Sequence, residues 1–319
     1  TPLPVSREVP QGSVLGPILY IIFVIDFPDY LREYCSMLLY ADDTVLLLQN
    51  KKPTRLEIDS YIAINMAIEY CQANDLVLNS TKTQQLILGR SKGEVLELPE
   101  AERMQNVKYL GLVIDETLSW NDQIDQLCGK LSTSLYVLRR LKQVGSPEII
   151  KCAYYALFES HLRYGIAIWG SSSKTNTNRI MVQQKKAIRI MSGLGPIDSC
   201  REAFKNFNIL TTVALFILEV TVHTSQQNIP RRGDVHSHNT RAANNYSLPS
   251  HRLTLFEKQP TYMGAKFLNI LPPEVKNHTA DKQQFRRELT RWLQERPFYS
   301  IEEFLNWRTD NLFTLTQPS

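Results

Sequence analysis

Ser36-Met37-Leu38-Leu39-Tyr40-Ala41-Asp42-Asp43-Thr44-Val45-Leu46-Leu47-Leu48-Gln49 is the stretch on which the reading of this chain turns. Two short apolar runs, residues 36–40 and 44–49, flank the acidic triplet Ala41-Asp42-Asp43. Runs of this length bounded by turn residues read as strands, and Asp tolerates turn backbone, so the pattern predicts a hairpin with an acidic corner. Neighbouring carboxylates there repel by on the order of 4 kcal/mol at ~4 Å and an effective dielectric of ~20. A hard divalent cation offsets this, because Mg²⁺ takes oxygen ligands from one or two carboxylates together with substrate phosphates. Two such ions about 3.5–4 Å apart stabilise both the attacking and the leaving oxygen of phosphoryl transfer. The plainer alternative is an ordinary acidic surface turn.

Working outward, residues 14–32 predict an apolar helix entered through Pro10-Gln11-Gly12, with Pro17 tolerated in its first turn. Pro53-Thr54 starts a helix to about Ala73, with Leu56, Ile62, Met66 and Ile68 as its apolar stripe. Strands are expected at 83–88, after the turn-rich Asn79-Ser80-Thr81, and at 107–114. From Trp120 the pattern becomes helical. Ile124, Leu127, Leu131, Leu135 and Leu138 recur at steps of three and four, and Gly145-Ser146-Pro147 ends that helix and opens the next. Further helices are expected at 176–193, 199–206, 211–226, 281–294 and 300–306, with 227–260 as a loop or weakly ordered linker. The fold class is α+β: a mixed part to about residue 118, then an all-helical part.

With 319 residues, 43% of them hydrophobic and 21% charged, the chain can bury a sizeable core in about two domains. The most apolar run, 14–25, falls short of the ~18 residues a membrane span needs, so no membrane partner is expected. The opening TPLPVSREVP has neither a Met nor a signal-peptide pattern, which reads as a soluble piece of something longer. Charge is divided unevenly. Residues 1–127 carry 10 basic against 18 acidic side chains, and residues 128–210 carry 13 against 4. An acidic part followed by a basic one suits a metal-and-phosphate enzyme that grips nucleic acid, although lysine-rich solvated helix faces give the same count. Cys35, Cys71, Cys128, Cys152 and Cys200 are scattered without a C-x-x-C pair, which points to a reducing compartment and away from a zinc module. His236 and His238 form the one close histidine pair, a weak metal signal.

Upstream of the acidic corner lies Val9-Pro10-Gln11-Gly12-Ser13-Val14-Leu15-Gly16-Pro17, where Gly12 lets backbone approach a nucleotide closely. This segment followed by Tyr40-Ala41-Asp42-Asp43 resembles motifs B and C of reverse transcriptases, in particular those of jockey-type non-LTR retrotransposons. Leu78-Asn79-Ser80-Thr81-Lys82-Thr83 resembles the family's LNxxKT motif, and Val107-Lys108-Tyr109-Leu110-Gly111-Leu112 its primer-grip segment. Leu118-Ser119-Trp120 then leads into a helix similar to the family's thumb helix. Arg163-Tyr164-Gly165, Trp169-Gly170, residues 184–189, His238-Asn239-Thr240-Arg241 and Leu271-Pro272 look like the region after the thumb.

The resemblance implies a partial polymerase palm over 1–118, a helical thumb and basic helical region over 119–226, and a linker with a C-terminal helical tail over 227–319. It implies an RNA-directed DNA polymerase that uses two Mg²⁺ ions, with Mn²⁺ as a substitute, on an RNA template, a DNA primer and deoxynucleoside triphosphates. Asp42 and Asp43 would be the metal ligands. Lys82 would protonate the departing pyrophosphate, a task for a positioned amine. Gln11, Gly12 and Tyr40 would lie against nucleotide and template, and Tyr109, Leu110 and Gly111 would hold the primer end. Arg139, Arg140, Lys142, Lys185, Lys186 and Arg189 would contact the phosphate backbone, which adds affinity without sequence information. Tyr164 and Trp169 are candidates for stacking on bases, with packing between helices as their other use.

One family feature finds no counterpart. The third acidic position belongs to motif A, and the only acid in residues 1–9 is Glu8, beside motif B. The expectation is a chain inactive by itself, completed by the N-terminal part of the same polyprotein and acting in the nucleus or, alternatively, the cytoplasm. The competing expectation is a non-catalytic nucleic-acid-binding remnant, decayed or retained by its host. Either way, a lone hairpin would leave strand edges open to association.

Overall fold

In a computed structural model the placement of residues 13–235 and 243–308 is described. Glu8, Gln11, Gly12, His236, His238 and the His238–Arg241 motif lie outside the described residues. Among the described residues 58% are helical and three two-stranded sheets form, in keeping with an α+β class. It divides into two compact units: Thr1–Tyr109 with Ile114–Leu118, and Leu110–Val113 with Ser119–Ser319.

The first unit opens with helices α1 (Gly16–Phe23) and α2 (Phe27–Leu31). The single helix expected over 14–32 is thus broken at residues 24–26. Pro28 has no N–H to give to the carbonyl of Val24, so the first helix cannot run through it and a new one starts with Pro28 in its first turn. Strands β1 (Ser36–Tyr40) and β2 (Asp43–Leu47) form the expected antiparallel hairpin, paired from Ser36↔Leu47 to Tyr40↔Asp43. Asp43 belongs to the second strand, so the connection is the two-residue Ala41-Asp42.

Helix α3 (Pro53–Ala73) matches its expected span but not its expected stripe. Its buried face is Ser60, Ala63, Ile64, Ala67, Tyr70 and Cys71. Those small side chains let α2 and the inner face of the hairpin, Met37, Leu39 and Leu46, come close around Phe27 and Leu31. The Phe27 and Tyr70 rings stack with centroids 4.1 Å apart, and Tyr70 Oη donates to Asp26 Oδ1 at 2.6 Å.

Two further sheets are small. Of the strand expected at 83–88 only β3 (Gln84–Gln85) forms, paired in parallel with β4 (Glu102–Arg103). The strand expected at 107–114 is instead β5 (Asn106–Tyr109) and β6 (Leu112–Asp115), joined by Leu110-Gly111. Leu110 (φ 45°) and Gly111 (φ 80°) both adopt the left-handed conformation, which reverses the chain where the sequence reads as continuous strand.

The second unit is a helical assembly around one apolar core. Helix α4 (Asn121–Val144) buries all five of its stripe leucine and isoleucine residues. After Ser146 come α5 (Pro147–Ala153), a π-helical turn at Tyr154–Glu159, α6 (Ser160–Arg163) and α7 (Ile166–Trp169). Helix α8 (Lys174–Ser192), capped by Ser173, packs along α4. Asp125 pairs with Arg179, Ser132 meets Gln183, and Lys142 reaches the carbonyl of Met191, so the two helices run in the same direction.

Next follow α9 (Arg201–Phe207) and α10 (Thr212–Ser225), the latter buried on almost every side. No single helix among the described residues is long and apolar enough to cross a membrane. The region expected as a loop, 227–260, holds short helices α11 (Arg232–Val235) and α12 (Thr254–Glu257). Helix α13 (Pro260–Ile270), which the sequence did not signal, lies against α10 where a side chain on Gly264 would overlap Thr224 and the backbone of Val220. Helices α14 (Pro273–Lys276), α15 (Lys282–Gln294) and α16 (Ile301–Leu305) close the core with Val275, Phe285, Leu289, Leu293 and Phe304.

Candidate active site

The hairpin positions the acidic corner. Along it, Met37, Leu39 and Leu46 face the core, so the opposite face carries Leu38, Tyr40, Asp43 and Val45. Asp42 and Asp43 are both exposed, and among the described residues neither forms an ion pair. Ala41 supports the turn with φ 52°, a left-handed backbone that costs an alanine roughly 1 kcal/mol. The carboxylates are therefore presented outward by a backbone that tolerates some strain to do so. Tyr20 of α1 lies near enough to feel Asp42: partial burial raises its phenol above the usual tyrosine range, and the charge of Asp42 raises it further. Helix α1 and the acidic corner, far apart in sequence, are neighbours within the first unit.

Two adjacent carboxylates supply hard oxygen donors for one divalent ion in the manner of Mg²⁺. Among the described residues no group of three or more Asp, Glu, His or Cys side chains converges, here or elsewhere. The donor set fits a partial site, not a closed protein cage.

The other expected residues are dispersed. Tyr40 is 62% exposed, on the same hairpin face as Asp43. Lys82 ends an exposed 3-10 turn, Ser80–Lys82, and no ion pair joins it to Asp42 or Asp43. Tyr109 closes β5 in the first unit, whereas Leu110 and Gly111 fall in the second.

The six basic candidates sort by what they already touch. Lys142 Nζ donates to the carbonyl of Met191 at 2.9 Å, near the C-terminal end of α8. Arg189 donates to the Asp198 carbonyl through Nη2 at 3.0 Å and Nε at 3.3 Å. Lys185 Nζ lies 3.8 Å from the centroid of the Tyr299 ring, with Arg201 at 4.2 Å, and burial lowers its ammonium pKa. Arg140 folds back on Tyr136. Arg139 and Lys186 are exposed. Trp169 is fully buried and donates Nε1–H to the carbonyl of Tyr164 at 2.9 Å, so base stacking is not open to it. Tyr164 is 54% exposed, yet its hydroxyl donates to the carbonyl of Leu110.

Comparison with known proteins bears directly on the acidic corner and its surroundings. Residues 1–114 match the family model described as reverse transcriptase (RNA-dependent DNA polymerase). Residues 1–114 of this chain are thus similar to reverse transcriptases. The RNA-directed DNA polymerase from mobile element jockey of Drosophila melanogaster is 25% identical over 203 residues, 60% of this chain and 22% of that protein. The probable RNA-directed DNA polymerase from transposon BS of the same fly is 28% identical over 206 residues, 58% of this chain and 22% of its own length. That from transposon X-element is 26% identical over 272 residues, 80% of this chain and 28% of its own length. The chain thus spans only about a fifth to a quarter of the curated relatives it matches. No solved structure matches it significantly. The reverse transcriptase match includes Asp42, Asp43, Lys82 and Tyr109-Leu110-Gly111, whereas all six basic candidates lie beyond its end.

Proposed function

We propose that this chain is part of the reverse transcriptase of a jockey-type non-LTR retrotransposon and carries the acidic corner of its polymerase site. The observation that carries this reading is the outward presentation of Asp42 and Asp43 on a tight hairpin inside the segment that matches reverse transcriptases. In the complete enzyme Asp42 and Asp43 hold Mg²⁺, which supplies charge neutralisation at the reacting phosphate when bound. Lys82 gives a proton to the pyrophosphate, Gln11, Gly12 and Tyr40 line the nucleotide and template, and Tyr109-Leu110-Gly111 holds the primer end. Arg139, Arg140 and Lys186 lie along an RNA–DNA duplex, and the protein acts in the nucleus.

The chain is inactive by itself in this reading, because among the described residues no third acid converges on Asp42 and Asp43, and two neighbouring carboxylates bind divalent ions weakly. Primer extension on an RNA template tests it. A longer form that includes the preceding part of the frame should extend a DNA primer with Mg²⁺, and Asp42→Asn should cost more than the 10–100-fold typical of losing an outer-sphere partner. The 319-residue chain alone should not extend. Equal extension by the longer form before and after Asp42→Asn would sink the reading.

A second reading, a nucleic-acid-binding remnant without catalysis, draws on the lack of a third converging acid among the described residues and on the exposed Arg139 and Lys186. It requires duplex binding by the chain with no extension by any longer form.

A further inference from the structure

The segment Leu110–Val113 is fastened to the helical unit at three points. The first is the turn, where the hydroxyl of Tyr164 donates to the carbonyl of Leu110, the first of two left-handed residues. The second is Gly165 (φ 65°), where an added Cβ would lie 2.7 Å from Leu112 Cδ2. The third is Gln123, whose buried Oε1 accepts the N–H of Val113 at 3.0 Å.

Tyr164 itself has little freedom. Its N–H donates to the carbonyl of Ser160 at 3.2 Å, and its own carbonyl accepts Nε1–H of the fully buried Trp169. Arg163, one residue earlier, is held by Glu159 at 2.7 Å and Glu219 at 2.9 Å. The phenol ring remains more than half exposed, so the apolar effect does not explain where it sits. What the side chain gains at that place is the turn carbonyl.

We propose that Tyr164 is a positioning residue for the primer terminus: its hydroxyl fixes the Leu110-Gly111 turn in the orientation from which that turn meets a recessed 3′ end. This rests on the primer-grip reading of Tyr109-Leu110-Gly111 given above. The space at Gly111 supports it, since a Cβ there would stand 3.3 Å from the Tyr164 hydroxyl. A residue at 111 larger than glycine would crowd the group that holds the turn, besides being strained at φ 80°.

The test is Tyr164→Phe in the 319-residue chain, which keeps the ring and removes only the hydroxyl. Amide hydrogen exchange at residues 110–113 should accelerate about five- to tenfold, the factor for losing one net hydrogen bond. Helix melting by circular dichroism should not move. Fluorescence anisotropy then compares an RNA–DNA primer–template with a recessed 3′ end against a blunt duplex of equal length. The unsubstituted chain should favour the recessed end, and Tyr164→Phe should abolish that preference while leaving blunt-duplex affinity unchanged. Unaltered exchange at 110–113 would refute the proposal, as would faster exchange with the preference intact. Faster exchange in the variant, with no recessed-end preference in the unsubstituted chain, would refute the primer-grip reading and leave the hold on the turn established.

Discussion

Tyr70 shows how one side chain couples ionisation to the folding of the first unit. Burial first, then the hydrogen bond to Asp26 and that residue's charge, together push its phenol up to about 12. The folded pKa thus lies above the ordinary value of 10, so the folded state keeps its proton longer than the unfolded chain. The stabilisation is complete below pH 10 and is lost as the pH rises through about 12. Denaturant melts at rising pH should show the first unit weakening across that window, and Tyr70→Phe should flatten the dependence. Asp42 and Asp43 are exposed and stand side by side at a turn. That arrangement is legible in the sequence, because adjacent acids between two apolar runs can be read without knowing what packs where. The partner of Tyr164 cannot be read so, since the carbonyl it holds lies 54 residues away.

At the scale of elements, the second unit is pinned by a polar group in its apolar centre. Gln184 of α8 is fully buried; its Nε2 donates to Tyr154 Oη and to the carbonyl of Leu210, both at 2.9 Å. Its Oε1 accepts from the N–H of Thr212 at 2.7 Å and from Thr212 Oγ1 at 2.9 Å. One side chain thereby joins the π-helical turn, α8 and the start of α10. Gln184→Ala leaves those partners unpaired and opens a cavity, and should cost about 3 kcal/mol in urea melts of the chain, within the usual span for buried polar groups and truncations. Elements with large apolar residues at helical spacing, such as α4, were visible from the sequence for the reason that they bury those residues. Helix α3 is legible as a helix but its buried face is not, because Ser60, Ala63, Ala67 and Cys71 are too small to announce a core. Helix α13 likewise gives a weak signal, with Gly264 and Ala265 at its contact. The turn at Leu110-Gly111 was hidden because leucine carries no signal for positive φ.

Across the whole molecule, the uneven charge becomes more specific once structure is added. The basic residues of 128–210 are not an undivided surface for phosphates. Lys142 and Arg189 hold backbone carbonyls and Lys185 lies against Tyr299, whereas Arg139 and Lys186 stand free in solvent. If the helical unit grips a duplex, Arg139→Ala and Lys186→Ala should each weaken binding uniformly across sequences and lower the slope of log affinity against log salt by about 1. Lys142→Ala and Arg189→Ala should act chiefly on thermal stability. Salt titrations of duplex affinity, read beside melting curves, separate the two groups. A slope unchanged by Arg139→Ala and Lys186→Ala together would remove the duplex from this face.

Helix α1 has a consequence of its own. It buries no residue, and Ile18, Leu19, Ile21, Ile22 and Phe23 all stand open to water. Attraction between oily surfaces strengthens with heat near room temperature, since its origin there is the entropy of water. Gentle warming should therefore draw copies together through this helix and cloud the solution while the buried helices of the second unit are still intact.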